Sequence, residues 1–323
     1  MISSMKAIVT VAIPTLDAGE EFVQTLEAVA TQRIDAELEL LVCDSGSRDG
    51  TVALARQHGA RVIEIPKSSF SHRGTRNRLV SEARGAHIAF LTQDAVPAGP
   101  EWLGALLAGF TVAEHVGLVF GPYLARPDAS LSVRRELQTW FATLSPDGRP
   151  RVDALPADRR TLAARGFWGP LGYFTDANGC LSRAAWERAP FREVAYAEDH
   201  LLAQDMLRAG YAKVFVPAAA VVHSHDYSAA RWLRRSFDET RAIAEVYDGA
   251  PAAGWREALR TLRGNVGADV RLARSERGSR AAAATARRAL VHHGARTVGA
   301  MLGARASALP PAVSGRLSLE RRR

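Results

Sequence analysis

Short apolar runs, each followed by a polar turn and an amphipathic stretch, fill the first 120 residues. Residues 7–14 read as a strand, and 19–31 as a helix with Phe22, Leu26, Val29 and Ala30 on one face. The pattern repeats with a strand at 38–44, a helix at 51–58, a strand at 61–65, a helix at 73–83 and a strand at 87–92. Pro100 precedes Trp102, Leu103, Leu106, Leu107 and Phe110, as it does at the first turn of a helix, and 116–120 returns as a strand. This alternation predicts an α/β fold, a mostly parallel sheet with helices on both faces. Further on, 131–144 reads as a helix and 145–160, SPDGRPRVDALPADRR, as a loop. The block 174–227 adds a short segment, a helix and a strand-like run at 214–222. From 228 the pattern is helical, and the last fifteen residues read as a flexible tail.

In such sheets ligands sit beyond the carboxyl ends of the strands. The polar clusters Thr15-Leu16-Asp17, DSGSRD (44–49) and Gln93-Asp94 all fall at such ends, so three strands direct polar termini at one place.

Composition narrows the class. Hydrophobic content of 47% and charged content of 24% suit a globular protein. The two cysteines, Cys43 and Cys180, form no C-x-x-C, and Cys43 lies in an apolar strand, which fits a reducing compartment. No apolar run approaches 18 residues, and the amino-terminal stretch lacks the pattern of a signal peptide, so a cytoplasmic location is expected. The net charge of +8 is uneven: from Arg231 onward there are 19 arginines, 8 acids and no lysine. The preceding 230 residues are slightly acidic, and no nucleic-acid partner is needed to account for the charge.

The turns exclude one common chemistry. A dinucleotide site wants G-x-G-x-x-G after the first strand, whereas PTLDAGEE offers one glycine and three acids. No phosphate-binding G-x-x-x-x-G-K-[ST] is present either. Asp17 and Asp44 suit hydrogen bonds from a base or ribose, although Asp44, Ser45 and Ser47 would also serve simply to turn the chain. Asp94 closes HIAFLTQDAVP, where a carboxylate could hold a cation that neutralises a diphosphate. Glu198 and Asp199 open a helix in YAEDHLLAQDMLRAG, a position suited to a base and equally to a dipole partner. His223 and His225 alternate onto one side of VVHSHDYS, within reach of a metal or phosphate.

Taken in order, IPTLDAGE, LVCDSGSRDGT, FSHRGTRN, AFLTQDAVP, TDANGCLSR, AEDHLLAQDMLRAG and VVHSHDYS resemble the family 2 glycosyltransferases of the GT-A fold. FSHRGTRN, LTQDAVP and HSHDYS are most similar to the bacterial rhamnosyltransferases. The resemblance spans about residues 7–240 and implies a GT-A domain over 1–227, with a nucleotide-binding part at 1–122 and an acceptor part at 123–227. An arginine-rich helical extension (228–308) and a tail (309–323) follow.

By position the resemblance implies that Pro14, Thr15, Asp17, Asp44 and Ser45 line the nucleoside pocket, with Gln93 and Asp94 beside them. His72, Arg76 and Asn77 would face the donor, Arg76 being available to the diphosphate. Asp94 is the remaining acid of a D-x-D signature whose first acid is Thr92 here; with His225 or His223 it would hold Mg²⁺ or Mn²⁺. Asp199 is the implied base with Glu198 its neighbour, and Trp168, Asp176 and Asn178 fall where an acceptor would bind. The implied reaction is inverting transfer, L-rhamnose from dTDP-rhamnose being the first expectation. The acceptor would be a hydroxyl of a cell-surface glycan or a lipid-linked precursor. Another nucleotide sugar, UDP-linked, or a weakly active scaffold are the alternatives. A nucleotidyltransferase would want a basic, glycine-rich first turn, which PTLDAGEE is not. The arginine-rich helices read either as solvated packing elements, with homodimer formation as a variant, or as a contact with an anionic membrane surface.

Overall fold

A computed structural model describes residues 7–194, 196–249 and 254–320. Its strands in chain order are β1 (Ile8–Thr15), β2 (Glu37–Asp44), β3 (Arg61–Glu64), β4 (His87–Leu91), β5 (Val96–Pro97), β6 (Val116–Phe120), β7 (Tyr123–Leu124), β8 (Arg151–Asp153), β9 (Asn178–Ser182), β10 (Ala212–Phe215) and β11 (Val221–Val222). Eight of them form one sheet in the order β3-β2-β1-β4-β9-β6-β10-β8, and β5-β11-β7 form a small second sheet. The pairs β3–β2, β2–β1, β1–β4 and β6–β10 are parallel, while β9 runs antiparallel to β4 and β6. The predicted mostly parallel sheet is present, reversed at β9.

The helices are α1 (Phe22–Ala30), α2 (Thr51–Gln57), α3 (His72–Glu82), α4 (Trp102–Gly109), α5 (Leu131–Leu144), α6 (Arg183–Arg188), α7 (Glu198–Arg208), α8 (Ala229–Val246), α9 (Trp255–Gly303), which is broken into two helical halves at Gly278 (φ 82, ψ 178), and α10 (Pro311–Leu317). Strand alternation puts a core on each face of the large sheet, and α8 packs through Ala242 and Val246 into a third cluster with Phe167 and Leu207. Val9, Val11 and Ile13 meet Phe22, Leu26, Trp102 and Leu106 on one face. Ala12, Phe90 and Phe120 meet Leu79, Phe141, Leu202 and Met206 on the other. Burial on both faces is why β1 reads IVTVAIPT without polar alternation.

Three readings change. The supposed loop 145–160 contains β8, which pairs antiparallel with β10 at the sheet edge. Only backbone pairing, invisible in a proline-rich sequence, makes it a strand. The run 214–222 is two strands in different sheets, β10 and β11, because the chain turns between Phe215 and Val221. The expected tail 309–323 holds α10, and the completely buried Ser318 donates its hydroxyl to Asp238 at 2.7 Å. Residues 321–323 lie outside the described ones.

One junction sets the geometry beneath the site. Gly121 follows β6, and a Cβ there would lie 1.8 Å from the Ala219 carbonyl oxygen, so no other residue fits without moving backbone. Beside it Asn178 opens β9, wholly buried. Its amide donates to the Pro122 and Ala219 carbonyls, and its oxygen accepts from Trp102 Nε1 at 2.8 Å.

Candidate active site

The polar strand ends are stitched to one another. Leu16 N–H donates to Gln93 Oε1 (2.9 Å), Asp17 N–H to Ser47 Oγ (2.8 Å), Ala18 N–H to Thr51 Oγ1 (2.9 Å) and Gly19 N–H to Asp49 Oδ2 (2.9 Å). Asp17 returns a bond by accepting from Arg48 N–H, and sits at φ 44, a left-handed conformation that aspartate tolerates better than most residues. These cross-links bring the β1, β2 and β4 termini together, as strand order alone suggests.

Within that frame the nucleoside candidates divide. Asp17 is exposed and Pro14 half-buried, whereas Thr15, Asp44 and Ser45 are buried. Asp44 is saturated: it accepts from the Thr15 and Ser47 hydroxyls and from the Gly46 and Ser47 N–H groups. It therefore shapes the turn, the structural alternative that its sequence context left open. Gln93 is engaged at both ends with the Leu16 backbone.

A cavity of about 700 Å³ opens beyond β4, β7 and β9, and it gathers Asp94, His72, Arg76, Trp168, Asp176, Glu198, Asp199, His223 and His225. Pro14, Thr15, Asp17, Asp44, Ser45, Asn77, Gln93 and Asn178 do not line it. Glu198 and Asp199 occupy the first turn of α7, whose preceding residue Ala197 is held at φ 65. Asp199 Oδ1 accepts the His200 N–H at 2.8 Å. Arg76 of α3 lies across from them, 6% exposed, bonding Asp176 Oδ1 at 2.8 Å and Glu198 Oε1 at 3.0 Å.

That pairing revises two expectations. Arg76 does not reach out for a diphosphate, because two carboxylates already occupy its guanidinium fork. Asp176 is held in the wall by the same contact instead of being offered to an acceptor. Asn77 and Asn178 likewise leave the site. The Asn77 amide donates to the Phe191 carbonyl and its oxygen accepts from Trp186 Nε1 and Phe191 N–H, and Asn178 forms the junction described above. Polar side chains buried this deeply are consumed by backbone groups that would otherwise go unbonded.

Three carboxyls thus face one guanidinium. Burial, with Asp176 and Glu198 nearby, pushes the Asp199 carboxyl well above its ordinary range. Burial likewise lifts Asp176 to about 6 despite Arg76, with Glu198 adding to the rise. A carboxyl raised in this way is a stronger base than a solvated one.

Across the cavity, Asp94 faces His223 Nδ1 at 3.6 Å and His225 Nε2 at 3.4 Å, and the three ligand atoms lie within 4.8 Å of one another. Burial would raise the Asp94 carboxyl, but the two histidines hold it below its usual value. Burial lowers His223, and burial with His223 alongside lowers His225 to about 4. Both imidazoles are therefore neutral near pH 7 and carry the lone pair that a cation needs. One carboxylate and two neutral imidazoles fit a divalent metal, and both histidines lie close enough to Asp94 to take part in such a set.

Other residues reach the cavity that carry no sequence signal. Aromatic rings of Tyr123, Trp140, Tyr173, Tyr196, Tyr227 and Tyr247 line it with Trp168, which is 52% exposed and meets Tyr247 edge-on at 5.3 Å. His200 Nδ1 is 2.8 Å from the Tyr247 hydroxyl, and burial lowers its pKa to about 4. Arg235 of α8 lies over the Tyr196 ring at 4.6 Å and pairs with Glu239 at 2.9 Å. Glu320 lies 3.8 Å from His72 Nε2, whose Nδ1 is 3.7 Å from Glu198. Helical spacing marks Arg235 only as an amphipathic position of α8, and Tyr247 directly follows that helix, so no local pattern singles them out.

Residues 10–167 match the sequence model of the family described as Glycosyl transferase family 2. The chain is 29% identical over 263 residues to the O-antigen chain rhamnosyltransferase RfbN of Salmonella typhimurium, covering 77% of this chain and 78% of that protein. It is 27% identical to the O-antigen chain rhamnosyltransferase WbaN of Salmonella anatum, covering 71% and 70% respectively. Among solved structures, the mannosyltransferase PcManGT from Pyrobaculum calidifontis, in complex with GDP-Man and Mn²⁺, superposes with a TM-score of 0.57. It is 18% identical, over 91% of this chain and 86% of that one, a likeness of fold.

Proposed function

Since the chain belongs, through residues 10–167, to glycosyl transferase family 2 and has a GT-A fold, we propose that it transfers L-rhamnose from dTDP-rhamnose to a hydroxyl of a cell-surface glycan or its lipid-linked precursor, with inversion. One observation carries this reading: Asp199 and the Asp94–His223–His225 set line the same cavity. The two Salmonella relatives, rhamnosyltransferases by name, support the choice of sugar.

In this reaction Asp199 accepts the proton of the acceptor hydroxyl as that oxygen bonds to the anomeric carbon. The bond from that carbon to the donor's diphosphate oxygen breaks on the opposite side. Arg76 holds Glu198 and Asp176 beside Asp199, and burial with these two acids keeps the Asp199 carboxyl raised, although the Arg76 charge itself lowers it. Asp94, His223 and His225 would hold Mg²⁺ or Mn²⁺, which when bound neutralises charge on the departing diphosphate. Exposed Asp17 at the β1 turn offers a hydrogen-bond acceptor to the nucleoside, and the Trp168 and Tyr247 rings offer faces to an acceptor sugar.

The same reading places the protein at an anionic membrane surface. At the start of α9, Trp255 (64% exposed) and Leu259 (37% exposed) stand among the exposed Arg256, Arg260 and Arg263. No helix among the described residues is long and apolar enough to cross a membrane.

The test is a donor screen with dTDP-rhamnose, UDP-sugars and GDP-mannose, with Mg²⁺, Mn²⁺ or a chelator. The expected result is preferred turnover of dTDP-rhamnose, inversion at the anomeric carbon by NMR, and loss of turnover on chelation. Turnover of a UDP-sugar alone would replace the donor. Absence of turnover, together with no thermal stabilisation by any nucleotide, would reject the enzyme reading.

A further inference from the structure

We propose that a second cleft, next to the active-site cavity, binds a phosphate ester carried on an apolar chain. That this ligand is the sugar acceptor rests on the glycosyltransferase reading; that the cleft binds it does not. The cleft, of about 610 Å³, lies between residues 130–132 at the start of α5, residues 226–232 around the start of α8, and the later part of α9.

Charge is the first reason. Arg287 and Arg288 line the cleft, are exposed, and make no ion pair or hydrogen bond with any described residue. The arginines of the active-site cavity, by contrast, are all paired: Arg76 with Asp176 and Glu198, and Arg235 with Glu239. Among the described residues Asp226 is the single carboxylate in the cleft wall, and it is engaged by the Ser130 N–H. Two guanidiniums against one committed carboxylate leave a cationic site, and their planar forks suit the oxygens of a phosphate.

Apolar surface is the second. Val291, 52% exposed, lies one helical turn beyond Arg287 and Arg288 on the same cleft wall, and Trp232 stands opposite. The Trp232 ring is fixed, edge-on to His292 at 4.8 Å with the Arg296 guanidinium at 5.0 Å. A free inorganic anion would use the arginines and leave this wall bare, whereas a phosphate on an apolar chain covers both.

Position is the third. Tyr227 lines both the cleft and the active-site cavity, and its ring stacks on His225 at 5.0 Å and 12°. A ligand whose phosphate lies between Arg287 and Arg288 can therefore extend its other end past Tyr227 toward the candidate metal set. A membrane phospholipid gains nothing from that continuity, so the occupant is a single-chain phosphate ester bearing a group that enters the cavity.

Farnesyl phosphate serves as the probe, with farnesol, inorganic pyrophosphate and dihexanoyl phosphatidylglycerol as comparisons, titrated calorimetrically against the full chain. Farnesyl phosphate is expected to bind more tightly than all three. The double variant R287A/R288A is expected to weaken it by about tenfold or more, the loss expected for charge-assisted hydrogen bonds. Both arginines are exposed and unpaired, so the variant should keep its melting temperature, and D94A should leave farnesyl phosphate binding unchanged. Absence of binding, undiminished binding by the double variant, or equal affinity for pyrophosphate or phosphatidylglycerol would each overturn the proposal. Nucleotide-dependent stabilisation, followed in parallel, tests the glycosyltransferase reading separately: its loss leaves the cleft result standing.

Discussion

At the scale of single residues, the decisive feature is how few polar groups in the cavity are free. Arg76 and Asp176 look like substrate contacts in sequence, yet they neutralise each other in the wall. Asp199 remains beside them, with its carboxyl raised by burial and by neighbouring acids. A raised carboxyl pKa means that the fold prefers the protonated form. Its stabilising effect is present below the unfolded-state value of about 4 and is lost as pH rises through the folded value. At neutral pH an ionised Asp199 therefore costs stability. D199N should raise the melting temperature at pH 7, leave nucleotide binding intact, and slow transfer by about 10²–10⁴-fold. An unaltered rate would remove Asp199 as base. The acidic limb of the wild-type pH–rate profile should lie above the ordinary carboxylate range. For the cation set, D94A should abolish the gain in donor affinity produced by Mn²⁺; a retained gain, measured by calorimetry, would place the metal elsewhere.

Among the elements, α9 depends on close contacts that a helical pattern does not announce. Cβ atoms added at Gly299 and Gly303 would lie 2.2 and 2.3 Å from the Leu233 and Phe237 carbonyl oxygens of α8. G303A should therefore force the helices apart and cost about 1–3 kcal/mol, readable by denaturant unfolding. On its other side α9 is tied to α5. His293 Nε2 lies 2.8 Å from Asp269, which also takes the Ser132 hydroxyl and Arg135, while Glu136 receives His292 at 3.2 Å, His293 at 3.3 Å and Arg296. Burial would lower His293, but Asp269 and Glu136 raise it above its ordinary value. Burial would raise Asp269 and Glu136, but their partners hold both below the usual range. The histidine contribution is complete below about pH 6.5 and fades as pH rises through its folded pKa; the carboxylate contributions are complete above about pH 4.5 and fade on acidification. The cluster should thus stabilise most between those values. H293N should flatten the decline in melting temperature above pH 6.5, and an unchanged slope would exclude His293 as its source.

For the molecule as a whole, the separation of charge matters more than its sum. The arginine-rich part is not an appendage: Ser318 and Leu319 bond to Asp238 of α8, and Glu320 reaches His72 in the cavity. Removing everything after Tyr247 would expose these contacts, so membrane association is better tested on the surface. Replacing Trp255 and Leu259 by serine and Arg256, Arg260 and Arg263 by glutamate should reduce sedimentation with anionic vesicles several-fold while leaving donor turnover in solution unchanged. Undiminished sedimentation would refute the contact. The β-strand and helix succession up to residue 120 is legible because each segment must bury one face or both, which leaves a periodic trace. β8 and α10 are not legible, since pairing and docking partners, not local pattern, hold them.

The sequence by itself determined that an α/β sheet would present polar strand ends at one edge, and it marked Asp94, Asp199, His223 and His225 as candidates, which the fold gathers in one cavity. Apolar periodicity and short motifs are local properties, written in neighbouring residues. Tertiary structure alone decided which polar groups stay available. Asp176 meets Arg76 from a hundred positions away, and Asn178 is spent on Trp102 and two carbonyls. It also decided that Arg235, Tyr247 and Glu320 join the cavity. Buried polar atoms must find partners wherever the fold supplies them, and that accounting can be closed only in three dimensions.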